Sequence, residues 1–151
     1  MTSIALKRRI HWSVWGVPLG ILALGGAIHG VMMLVPPPDG LDMSRTRTSA
    51  NGQFVATIEP RGEIAVSQPL AWTVTVSMAD GSPVSADQVS VDGWMPNHAH
   101  GLPSAPQVTK DLGGGKFAVE ELVFSMAGWW EVNVHVDSAG GADTATFNLT
   151  L

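Results

Sequence analysis

Between Leu70 and Met78 apolar and small polar side chains alternate strictly. Leu70, Trp72, Val74, Val76 and Met78 fall on one side, Ala71, Thr73, Thr75 and Ser77 on the other. A period of two is that of a half-buried β-strand. It returns in Trp130, Val132, Val134 and Val136, opposed by Trp129, Glu131, Asn133 and His135, and in shorter runs at Phe54 to Ile58, Val84 to Val91, Lys116 to Phe124 and Thr144 to Leu149. Asp80-Gly81-Ser82-Pro83, Gly113-Gly114-Gly115 and Gly140-Gly141 separate these runs with turn-forming residues. Around Glu120-Glu121 the phase breaks, which predicts a bulge or the end of a buried stretch. Six or seven short strands with no helical period between them predict an all-β fold, an antiparallel β-sandwich over residues 52–151.

A different pattern precedes them. Residues 12–35 contain no Asp, Glu, Lys or Arg, and as a helix they would span about 36 Å against a hydrocarbon layer of about 30 Å. A single N-terminal transmembrane helix is therefore expected there. Lys7, Arg8 and Arg9 lie on its short N-terminal side, which predicts residues 1–11 in the cytoplasm and the remainder outside. A cleaved signal peptide fits less well, because its apolar core is usually only about 7–15 residues and ends in a small-x-small site. Gly16-x-x-x-Gly20 and Gly26-x-x-x-Gly30 are spacings that let a second helix approach closely, although glycine is common in membrane helices. Residues 36–51, opening with three prolines, read as a stiff spacer and a flexible tether.

Charge and cysteine content narrow the function. From Asp39 onward the chain has five Lys plus Arg and thirteen Asp plus Glu, a formal charge of 5 − 13 = −8. Such a domain is a poor partner for nucleic acid or for a polybasic contact with lipid. No cysteine is present, so disulfides and thiolate chemistry are excluded. No Gly-x-Ser-x-Gly elbow or His-Glu-x-x-His helix occurs, and the chain is expected not to be an enzyme. Asn148-Leu149-Thr150 matches the three-residue glycosylation pattern, a signal of low specificity.

The candidate chemistry lies in Trp94-Met95-Pro96-Asn97-His98-Ala99-His100-Gly101-Leu102-Pro103. In an extended peptide His98 and His100 project to the same side. Imidazole suits copper and zinc, and the thioethers of Met95 and of Met126, in the Phe124–Gly128 turn, favour the softer copper states. Met126 and His135 become reachable if their segments share an end of the sandwich with the histidine loop. Each residue also has a plainer reading: the histidines as hydrogen-bonding pins of a Pro-Gly loop, Met126 as a packing plug, His135 as a surface side chain. Adjacent Trp129 and Trp130 must face opposite ways on a strand, leaving Trp129 to cover a loop, the histidines or a partner.

The succession Met95-Pro96-x-His98-x-His100-Gly101-Leu102-Pro103, Pro106-x-Val108, Gly113-x-Gly115-x-Phe117 and Phe124-x-Met126-x-Gly128-x-Trp130 resembles the YtkA-like and FixH-like group of small exported domains. The resemblance covers roughly residues 52–150. It implies an Ig-like (cupredoxin-like) sandwich in the periplasm, carried on the bacterial cytoplasmic membrane, with a role in copper handling or in assembling copper-containing oxidases. It also implies copper as the bound metal, with His98, His100, Met95 and Met126 at the positions of the group's His/Met pattern. The glycine-rich anchor and long membrane-proximal segment are a departure from it. They support a second reading, a non-catalytic structural subunit of a respiratory or photosynthetic membrane complex. Its contacts with partner subunits would then fall to Gly16, Gly20, Gly26, Gly30, Trp129, Arg45 and Arg47.

Overall fold

The computed structural model describes residues 36–151. The expected membrane anchor, with Gly16, Gly20, Gly26 and Gly30, lies outside the described residues. Among the described residues no helix is long and apolar enough to cross a membrane.

Nine strands build the domain: β1 (Thr46–Thr48), β2 (Phe54–Pro60), β3 (Leu70–Met78), β4 (Val89–Met95), β5 (His100–Gly101), β6 (Gln107–Gly113), β7 (Lys116–Leu122), β8 (Trp129–Ser138) and β9 (Gly141–Thr150). They form a two-sheet sandwich, with order β1-β2-β3-β7-β6 in one sheet and β5-β4-β8-β9 in the other. All pairings are antiparallel. The alternation read in the sequence sets the faces: Trp72, Val74 and Val76 of β3 and Trp130, Val132, Val134 and Val136 of β8 are buried, and their neighbours are not. Phe54, Phe117, Phe124 and Phe147 fill the space between the sheets. At about 25 cal/mol per Å² of apolar surface removed from water, this core is the main stabilising term.

Three strands were not visible as alternation. β1 falls inside the segment expected to be a tether, and pairs Thr46 with Thr57 and Thr48 with Val55. β5 is two residues long, and β6 is exposed along almost its whole length with two register shifts against β7. An edge strand of this kind presents no apolar face, and its bulges hinder pairing with another chain. The phase break at Glu120-Glu121 is a bulge: Glu121 has φ 64, and the register against β3 shifts between Leu70 and Trp72.

The registers define two ends. At one lie Leu70, Leu122, Met95, His100 and Trp129, joined by the loops 61–69, 96–99 and 123–128; we call this the histidine end. The other, the glycine end, carries the turns at Gly81, Gly113 to Gly115 and Gly140-Gly141.

Candidate functional site

β4 and β5 form a short hairpin that turns through Pro96 to Ala99. The amides of His98 and Ala99 both donate to the Met95 carbonyl, at 3.1 and 2.9 Å, and Ala99 takes φ 52. The segment is thus a tight turn and not an extended peptide. Its left-handed residue still brings the two rings together, their centroids 6.0 Å apart.

His100 pairs directly with Met95 across the hairpin, so the two share the inner face. Met95 is a core residue, only 2% exposed, and a Cβ added at Gly128 would lie 2.6 Å from its terminal methyl. The His100 ring meets the buried Trp130 indole edge-on, with centroids 5.5 Å apart. On its other side Trp130 packs against Phe124 at 5.4 Å, and its indole N–H donates to the Met126 carbonyl at 3.1 Å. Trp130 therefore gathers β5, β8 and the 123–128 loop around one ring, with Met126 half-buried beside the core.

The His100 tautomer follows from its partner. Nδ1 lies 2.9 Å from the Gly101 carbonyl, which can only accept, so Nδ1 carries the proton. In the neutral ring Nε2 holds the lone pair, the form in which an imidazole binds a metal, with its second nitrogen fixed by a carbonyl. With about 2.0 Å from metal to nitrogen and about 1.1 Å from nitrogen to ring centre, two imidazoles on opposite sides of one ion have centres about 6 Å apart. The His98–His100 separation fits that spacing. Among the described residues no three His, Cys, Asp or Glu side chains cluster as a metal site.

His135 belongs elsewhere. It lies on the outer face of the four-stranded sheet, its Nε2 donating to Asp92 Oδ2 at 3.1 Å and its Nδ1 2.9 Å from the Thr144 hydroxyl. Asp92 also accepts from Asn133 Nδ2, and Asn133 Oδ1 accepts from Thr146. This polar ladder ties β4, β8 and β9 together. Although Asp92, His135 and Thr144 are connected like a hydrolase relay, the main chain at Thr144 is committed: its amide donates to Asp143 and its carbonyl accepts from Ala50. That leaves no amide of Thr144 to stabilise an oxyanion.

The outer face also carries Trp94, 40% exposed, and Trp129, whose indole N–H donates to Asn148 Oδ1 at 2.9 Å. Asn148 Nδ2 in turn donates to the carbonyl of Asp42, so the amide of the glycosylation pattern is engaged on both sides. Arg47 forms an ion pair with Asp42, and the Arg45 carbonyl accepts from the Ile58 amide. From Asp42 the segment is thus laid along the sandwich rather than loose.

Asp143 was overlooked in the sequence, yet it marks itself. It occupies an inward position in line with Ala145, Phe147 and Leu149, where the alternation calls for an apolar residue. Burial pushes its pKa up, but hydrogen bonds from Ser49 and from the amides of Asn51, Thr144 and Gln53 outweigh this and hold it at about 2. The carboxylate fastens the β1–β2 turn to β9.

A sequence model of the YtkA-like family matches residues 46–135, from the first residue of β1 into β8 and over half of the chain. Neither a curated protein nor a solved structure matches.

Proposed function

The chain belongs to the YtkA-like family, and on that premise we propose that it is a non-catalytic accessory protein that holds copper for a membrane complex. Residues 12–35 serve as its anchor in the bacterial cytoplasmic membrane and residues 36–151, with β1 inside the segment expected to be a tether, as its periplasmic part. The observation that carries this reading is the pair of imidazoles 6.0 Å apart, with His100 braced on Trp130. His98 and His100 are the nitrogen donors. Met126 is the thioether that completes a soft, low-coordinate set of the kind Cu(I) accepts. Met95 supports the site from beneath, since its side chain is packed in the core. Copper is cargo here, and the protein's part is to bind, orient and release it.

Competition titration of residues 36–151 with Cu(I) and Cu(II) tests the reading. One-to-one Cu(I) binding is expected, lost in His98→Ala/His100→Ala and weakened at least tenfold in Met126→Leu. Met95→Leu should keep the affinity and lose less than about 1.5 kcal/mol of stability, as volume-conserving core changes do. No binding above that of the double variant would remove copper. It would favour the second reading, a structural subunit whose exposed Trp94 and half-buried Trp129 meet its neighbours.

A further inference from the structure

We propose that the histidine end of the sandwich is a docking surface for the outward-facing, uncharged surface of a membrane-embedded protein. The proposal rests on the anchor assigned above.

The first observation is where charge is missing. Residues 96–106 and 123–128 contain no Asp, Glu, Lys or Arg, and residues 61–69 contain only Arg61 and Glu63, in a domain with eighteen such side chains from Asp39 onward. Apolar side chains take their place: Val66 is 39% exposed, and Ile64, Met126 and Leu151 are partly buried at the margin of the core. Depletion of charge with retention of apolar and methionine side chains is the composition of an interface core.

The second is that this end is fixed before anything binds it. The Ser67 amide donates to the Phe124 carbonyl at 2.8 Å, and Gly128 and Leu151 exchange two backbone hydrogen bonds at 3.0 and 3.1 Å. Loop 61–69, loop 123–128 and the end of β9 are thereby tied to one another, which lowers the ordering cost of docking.

The third is where the chain enters. β1 runs antiparallel to β2, so the residues before Thr46 lead toward the histidine end, and Asp42 is held there by Asn148. Six residues, 36–41, separate Asp42 from the end of the expected anchor, a reach of at most about 20 Å. A soluble partner would gain nothing from so short a tether, whereas for a membrane-embedded one it raises the effective concentration. The bilayer itself is a poor occupant, because a domain of charge −8 is repelled by anionic headgroups.

The absence of cysteine makes the test direct. Val66→Cys and Ala127→Cys report on the histidine end, and Ser82→Cys and Ala139→Cys on the glycine end. Each full-length variant is labelled with a membrane-impermeant maleimide in native membranes, and in liposomes containing the chain alone. Labelling of the first pair should be at least tenfold slower in native membranes than in liposomes, and that of the second pair equal in both. Equal rates for all four overturn the proposal. Protection of Val66→Cys and Ala127→Cys in liposomes as well makes lipid the occupant and overturns it too. Carbonate extraction of the same membranes isolates the anchor: release of the chain with protection intact would sink the anchor and leave the docking surface standing.

Discussion

Ala99 separates the two histidines with a backbone angle that L-residues rarely take, φ 52. A β-branched side chain tolerates that region worst. Ala99→Val should therefore lower unfolding stability further and weaken copper binding, whereas Ala99→Gly, which takes positive φ freely, should not lower stability; urea unfolding and the copper titration read the difference. Asp143 makes a separate prediction through pH. Its folded pKa, about 2, lies below the ordinary value of 3.8. Its contribution is therefore complete above pH 3.8 and is lost as pH falls toward 2. Urea midpoints measured from pH 6 to pH 2 should drop across that window, and Asp143→Asn should be less stable at pH 6 and flatter below pH 4. Little of this was legible beforehand. The His-x-His spacing is plain in the sequence, but the turn that brings the rings together depends on one residue's φ, which composition does not reveal.

Among the elements, most strands with one buried face were readable and strands without one were not. β4, expected at Val84 to Val91, lies at Val89–Met95 because Ala86–Gln88 forms a 3-10 turn. β3 and β8 alternate because one side of each meets the core, so apolar residues recur at every second position. β1 and β6 are pinned by backbone pairing alone, and backbone hydrogen bonds leave no mark on side-chain pattern. The Gly113-Gly114-Gly115 turn was legible as a turn, but not which glycine matters. Gly114 has φ 64 with open space around it, while a Cβ on Gly115 would lie 2.3 Å from the Val76 carbonyl oxygen. Gly114→Ala should cost about 1–2 kcal/mol from backbone conformation alone. Gly115→Ala should cost more, because the Val76 backbone must move and the 2.8 Å bond from its amide to the Gly115 carbonyl is strained. Parallel urea titrations of the two variants check the order.

At the scale of the whole molecule, residues 42–51 close the sandwich along one side. They pair with β2 through β1, donate from Ala50 to the Thr144 carbonyl, and meet Asp143 through Ser49 and Asn51. A chain of residues 52–151 would bare the β2 edge and strip Asp143 of two of its partners. Compared with residues 36–151 it should unfold at lower urea and self-associate, because an uncovered edge recruits another strand; sedimentation velocity separates monomer from dimer. The same arrangement decides how the protein bears force. Tension applied through residue 36 enters at Asp42 and reaches β1 first, so the rungs from Thr46–Thr57 to Thr48–Val55 bear it before the other strands do. The domain is hung by the seam that closes it, and a pull from the tether strains that seam before it reaches the core.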